Sequence, residues 1–273
     1  MVAMPWRLIL DSFGQGAWNM AVDEALFRRA EERGGPPVLR MYMWSPPCVS
    51  LGRFQRADVG LDLDMCRGLG VDVVRRPTGG RAILHEHEVT YSVVAPATGA
   101  GVIESYRELS AGLVRGLELL GISGEYGSQG ASGEASRASC FAHAARCDIV
   151  AGGRKIIGSA QVRGQRWVLQ QGSIPLWMDW KHNAAVFGWK DGSEAGAAGS
   201  LMDVMGRAVT AEEVMSAVVR GFEDALGIQF EPSELAPDER ELALSLTHTK
   251  YASAQWTFKG EARTATAAAE PSP

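Results

Sequence analysis

The stretch RRPTGGRAILHEHEVTYSVV, residues 75–94, raises a question of chemistry as well as of fold. Two arginines run into Pro77-Thr78-Gly79-Gly80-Arg81, and a segment of strand composition carrying His85 and His87 follows. A turn between two strands accounts for the glycines but needs neither three arginines nor a histidine soon after them. Glycine lacks a Cβ, so a Gly-Gly loop lets a ligand lie against the backbone and offers its N–H groups to a carbonyl or phosphate. Arg75, Arg76 and Arg81 are then expected to add anion contacts. His85 and His87, two apart, would share one face of a strand and suit a metal, yet the sequence shows no convincing third ligand, so none is expected.

Working outward, VDVVRR (71–76), CVSLGRF (48–54) and VLRMYMW (38–44) have the β-branched and aromatic content of strands, the last two parted by Ser45-Pro46-Pro47. AWNMAVDEALFRRAEE (17–32) places apolar residues at 18, 22, 25 and 26 with mostly charged ones between, which predicts an amphipathic helix. Downstream, residues 104–121 repeat Tyr106, Leu109, Leu113, Leu117 and Leu120 at helical spacing. GSQGASGEASR (127–137) reads as a mobile Gly/Ser-rich loop leading to Cys140. From Cys147 a strand meander turns at Gly152-Gly153 and again near Gly164. Thr210-Ala-Glu-Glu213 is a capping box before Val214, Val218, Phe222 and Leu226, predicting a helix over 211–226. These elements predict an α/β (α+β) fold, a mixed, largely antiparallel sheet flanked by helices. The tail 259–273 is expected to be disordered.

With 273 residues, 46% of them hydrophobic, the chain can bury a substantial core. A formal charge of −5 disfavours nonspecific nucleic-acid binding. Its apolar runs fall short of the roughly 18 residues of a membrane span, and Asp11 interrupts the N-terminal one before it resembles a signal peptide. Four cysteines at 48, 66, 140 and 147 form no C-x-x-C pair, so reduced thiols and a cytoplasmic location are expected. GQGAWN at 14–19 lacks the third glycine of a dinucleotide fingerprint, and no Walker-type G-x-x-x-x-G-K-[ST] is present.

Lys155 stands in GGRKIIGSAQ, with small Gly158 and Ser159 beyond it. A strand lysine is usually solvated. Facing a pocket lined by Gly79, Gly80 and Gly158, its ammonium could instead steady developing oxygen charge or, neutralised by burial, act as a base. Cys140 is by type a small core residue, but the polar loop before it favours an accessible thiol.

RRPTGGRAILHEHEVTYS resembles the R-R-x-[ST]-G-G-x-A-x-x-H-[DE] signature of the lipoate-protein ligase A superfamily, GRKIIGSAQ its K-x-x-G-[ST]-A motif, and WNMAVDEAL its N-M-A-L-D-E-A-L helix. The resemblance spans about residues 5–258 and implies a biotin/lipoate ligase-like catalytic domain over 1–258. SCFAHAARCDIVAGGRKIIGSAQ is further similar to the octanoyltransferase branch, where a cysteine followed by Phe lies fifteen residues before the lysine, as Cys140 lies before Lys155. Glu86 where Asp is frequent and Cys147 where an aromatic is common depart from the pattern.

The resemblance implies an octanoyl-[acyl carrier protein]:protein N-octanoyltransferase with Cys140 and Lys155 catalytic. Arg75, Thr78, Gly79, Gly80, His85, Gly158 and Ser159 would surround the substrate, without metal or other cofactor. The implied partners are acyl carrier protein as donor and a lipoyl-domain acceptor such as the glycine cleavage H protein, with no nucleic acid and no membrane. Alternatives left open are an ATP-dependent lipoate or octanoate ligase, an amidotransferase between lipoyl proteins, and a non-enzymatic carrier-binding module.

Overall fold

The computed structural model describes residues 4–99, 101–127, 148–189 and 198–260. The chain opens with β1 (Trp6–Gly14), α1 (Gly16–Arg33), β2 (Val38–Trp44), β3 (Cys48–Leu51), α2 (Leu63–Gly68), β4 (Asp72–Arg75), β5 (Ile83–His85) and β6 (Glu88–Pro96). It continues through α3 (Val102–Leu119), β7 (Glu125–Tyr126), β8 (Ile149–Ala151), β9 (Arg154–Arg163) and β10 (Trp167–Pro175). Then come α4 (Trp180–Phe187), α5 (Leu201–Met205), α6 (Ala211–Leu226), β11 (Phe230–Pro232), α7 (Pro237–Leu246) and two π-helical turns, Thr247–Tyr251 and Gln255–Lys259.

Eight strands form one sheet in the order β11-β1-β2-β6-β10-β9-β8-β7, and β4-β3-β5 form a smaller one. In the large sheet β1 runs parallel to β11 and β2, and the remaining pairings are antiparallel. The mixed, largely antiparallel sheet expected from the meander is therefore present. Its first hairpin turns where Gly152 and Gly153 take φ of +58° and +75°, a conformation that β-carbon-bearing residues resist.

Period-2 alternation divides the large sheet between two cores. Leu39, Met41, Val89, Tyr91 and Val93 face α3 and α6, while Val38, Tyr42, Trp44 and Val94 face α1 and α7. Helix α6 starts where Thr210 accepts the Glu213 N–H, and it buries Val214, Val218 and Phe222. It approaches α3 so closely that a Cβ on Gly221 would lie 2.3 Å from the Gly112 carbonyl oxygen.

Three expectations need correction. The run from Arg81 to Val94 is not one strand: the chain bends at Glu86-His87, sending β5 to pair with β3 and β6 into the large sheet. His85 and His87 consequently part. His85 is buried, whereas His87 stacks on Trp177 with ring centroids 3.7 Å apart. Helix α1 is not simply amphipathic either, because Asp23 and Glu24 are buried against cations on other elements, Asp23 with Arg40 and Glu24 with Lys250. Finally, Lys259 belongs to the last π-helical turn, and the Gly260 carbonyl accepts from Arg53 at 2.9 Å, so the expected tail begins too early. Residues 261–273, and all of the 127–137 loop but Gly127, lie outside the described residues.

Candidate active site

A cleft of about 380 Å³, counted out to its mouth, opens between the two sheets on the α1 side. Met20, Tyr42, Trp44, Ile83 and Ala160 give it apolar walls, and Ser50, Arg76, His85, Gly158 and Ser159 add polar groups and bare backbone. Apolar walls with few convergent polar groups are what a small-molecule or acyl site requires.

Lys155 is 2% exposed, so it is not the solvated strand lysine that its residue type suggests. Its Nζ lies 2.8 Å from Asp148 Oδ2, and the carboxylate is as deeply buried. Gly158 makes room for it: a Cβ there would stand 2.9 Å from Lys155 Cε and 3.1 Å from Nζ. The ammonium therefore rests beside a residue of the cleft wall with its counter-charge in place, which suits polarising a carbonyl better than taking up a proton. Ser159, next in the wall, shares a 2.7 Å hydrogen bond with the Tyr91 hydroxyl.

Arg75 and Arg76 of the opening motif donate mainly to backbone. Arg76 donates through Nε and Nη2 to the Gly79 carbonyl at 3.1 and 2.7 Å, through Nη2 to the Arg81 carbonyl at 2.7 Å, and through Nη1 to Ser50. It thus moulds the Gly-Gly loop. Arg75, expected against substrate, is absent from the cleft wall. Its guanidinium is buried and donates to the carbonyls of Gly52, Arg53, Gln55, Trp256 and Thr257, tying β4 to the C-terminal turn. Burial, then Arg53 and Arg76 beside it, lower its pKa. A buried guanidinium needs acceptors, and carbonyls from two segments supply them.

Thr78 is likewise an anchor. Its hydroxyl donates to Gln171 Oε1 at 2.9 Å, and Gln171 Nε2 donates to Asp23 Oδ2 at 2.6 Å. Three separate segments, the Gly-Gly loop, β10 and α1, meet in that chain. Gly80 adopts φ +87°, so a side chain there is strained whatever the space around it, while a Cβ on Gly79 would meet nothing within 4 Å.

His85 sits at the centre of a second network. Its ring stacks on Trp44 at 4.1 Å, Nε2 is 2.7 Å from Ser50 Oγ, and Nδ1 is 2.7 Å from Glu88 Oε1. Glu88 also accepts from Thr90 and Ser173, both at 2.5 Å. Sequence reasoning missed Ser50, Glu88 and Gln171, since a strand serine or glutamine has no distinguishing pattern. The signal for Glu88 was its place three residues after His85.

Cys140 and Cys147 lie outside the described residues. The two described cysteines are buried: desolvation pushes the Cys48 thiol well above its ordinary pKa and Cys66 up to about 11. Neither is a thiolate at neutral pH. Among the described residues no group of three His, Cys, Asp or Glu side chains could hold a metal ion, and no helix is long and apolar enough to cross a membrane.

Comparison with known proteins agrees with this geometry. The family described as lipoyl protein ligase A/B catalytic domain matches residues 15–223. The chain is similar to the octanoyltransferase LipM of Carboxydothermus hydrogenoformans, 41% identical over 266 residues, covering 93% of this chain and 98% of the relative. It is equally similar to the octanoyltransferase LipM of Kyrpidia tusciae, 41% over 271 residues with the same coverage. Among solved structures it resembles a lipoate-protein ligase A bound with ATP, with a TM-score of 0.82 and 28% identity, covering 93% of this chain and 99% of the other.

Proposed function

The chain belongs to the lipoyl protein ligase A/B catalytic domain family, and from that premise we propose that it is an octanoyltransferase working in the cytoplasm. It moves an octanoyl group from acyl carrier protein, through a thioester on Cys140, to a lysine of a lipoyl-accepting protein such as the glycine cleavage H protein. The observation that carries this reading is the similarity, along 98% of their length, to relatives named octanoyltransferase.

Cys140 is taken as the nucleophile on the resemblance of its segment to the octanoyltransferase branch, and the buried thiols Cys48 and Cys66 do not compete for that role. The thiolate of Cys140 attacks the carrier thioester, the C–S bond to the carrier breaks, and the carrier leaves as its thiolate. The acceptor lysine, as free amine, then attacks the new thioester, the bond to Cys140 sulfur breaks, and the nitrogen proton passes to the departing sulfur or to water. One thioester replaces another and an amide follows, so the sequence runs downhill without ATP.

Lys155, with Asp148 beside it, steadies the oxyanion at each tetrahedral stage, and backbone N–H groups of the Gly79-Gly80 loop assist. The apolar cleft walls take the octanoyl chain at about 0.8 kcal/mol per buried methylene. An adenylating ligase is the second reading, since the fold also serves a ligase that binds ATP. Three donors offered to one acceptor separate the readings. Octanoyl-carrier protein alone is expected to give octanoylated acceptor. Product formed only from free acid with ATP would make the protein a ligase, and product formed only from a lipoylated protein would make it an amidotransferase.

A further inference from the structure

The donor and the acceptor of the proposed transfer both have to seat a protein beside the cleft, and one surface there is suited to contact. Gly52 packs against the Gly-Gly loop so tightly that a Cβ on it would lie 1.9 Å from the Gly80 carbonyl oxygen. The next residue, Arg53, donates its backbone N–H to the Thr78 carbonyl at 2.8 Å. Arg75 holds the same loop from its buried side through the carbonyls of Gly52, Arg53 and Gln55. Phe54 is therefore carried on a pinned loop, yet it is 87% exposed, more than any other large apolar side chain among the described residues. Its Cα is at most about 14 Å from that of Ser50 in the cleft wall, four residues back along the chain.

Phe54 does not stand alone. The Arg53 guanidinium lies 5.5 Å from its ring centroid and 4.5 Å from that of Trp256, and it donates to the Gly260 carbonyl at 2.9 Å. The last turn is thereby brought alongside, with Phe258 and Lys259 both exposed on it. Together residues 52–57, 79–81 and 256–260 carry Arg53, Arg56, Arg81 and Lys259 and no carboxylate, on a chain whose formal charge is −5. Asp58, just outside, pairs with Arg56 at 2.6 Å, but both side chains are exposed and the pair holds weakly. An exposed aromatic among cations fits a protein face with an apolar centre and an acidic rim.

The chemistry of the two partners decides between them. The acceptor brings a lysine ammonium, which a cluster of cations repels. The donor brings its thioester on a phosphopantetheine arm, whose phosphodiester is an anion. We propose that Phe54, with Arg53, Arg56 and Lys259 beside it, is the docking surface for the acyl-donor carrier protein, an inference that rests on the octanoyl-carrier reading above. Phe54 enters an apolar recess of the carrier, carboxylates of the rim meet the cations, and the arm runs past the Gly-Gly loop into the cleft. Because Arg75 already holds the loop, docking orders little that was free before.

Steady-state transfer from octanoyl-carrier protein tests this, together with inhibition by the same carrier bearing an unacylated arm. Phe54→Ala is expected to raise the donor KM and the inhibition constant of the unacylated carrier together, each about tenfold, with kcat and the acceptor KM within about twofold of wild type. In Arg56→Glu/Lys259→Glu both constants should rise likewise, and the increase of the wild-type donor KM with salt should vanish. Unchanged constants in both variants overturn the proposal. So does a rise in the donor KM without one in the inhibition constant, which would place Phe54 against the acyl chain, and so does a rise in the acceptor KM alone, which would give the surface to the acceptor. Self-association lost in Phe54→Ala with the donor constants unchanged would make the surface a contact between copies of the chain and overturn it as well. A wild type that cannot use octanoyl-carrier protein strikes instead at the underlying reading, and the docking surface falls with it.

Discussion

Lys155→Ala is expected to lower acyl transfer by about a thousandfold, the scale of losing a principal oxyanion donor. The loss is expected in kcat, because the oxyanion exists only in the transition state and the tetrahedral intermediate. The single variant also leaves Asp148 buried without its counter-charge, so stability falls with activity. A Lys155→Ala/Asp148→Ala double variant removes that conflict. It is expected to regain stability in urea denaturation and to remain inactive. Near-normal turnover in either variant would remove Lys155 from the chemistry.

Asp23→Ala carries the largest expected cost in stability, about 3–5 kcal/mol, since it strips a buried cation of its partner. Asp23 is fully buried and accepts from Arg40 Nη1 and Ser92 Oγ at 2.7 Å, the Tyr42 hydroxyl at 2.8 Å and Gln171 Nε2 at 2.6 Å. Arg40, equally buried, keeps Asp11 at 2.7 Å, but Asp11 is itself part-exposed and does not replace the charge. Activity should suffer below the unfolding range as well, because Gln171 then no longer holds Thr78 and the Gly-Gly loop through a fixed carboxylate. An unfolding free energy in urea within about 1 kcal/mol of wild type would show that the four donors find other partners.

Elements with a strong local pattern were legible in the sequence. Strand β2 runs over the Val38–Trp44 of the reading, and α6 over its Ala211–Leu226, because strand composition and a capping box are signals carried within a few residues. Strand β1 went unread, since WRLILDSFG alternates poorly and is fixed by pairing with β2 and with distant β11. The first π-helical turn is secured by Glu24, more than two hundred residues away, through Lys250 at 2.6 Å and the Tyr251 hydroxyl. No local window contains that partnership.

The site divides in the same way. The glycines, Lys155 and His85 stood out as residue types in an unusual setting, and the fold brings His85, Gly158 and Ser159 into one cleft with Lys155 directly behind Gly158. Charge alone does not tell an anion-binding guanidinium from one that ties carbonyls together. Arg75 and Arg76 both donate to carbonyls, Arg76 from the wall of the cleft. Asp23 stood within the quoted helix motif, but its four donors come from β2, β6 and β10, so its role is visible only after folding.

Intact-protein mass spectrometry after mixing with octanoyl-carrier protein, without ATP or acceptor, tests the covalent step most directly. The account predicts a single added octanoyl group, mapped to Cys140, removed by hydroxylamine and absent from a Cys140→Ala variant. An adduct on Cys147, or no adduct while octanoylated acceptor still accumulates, would contradict it.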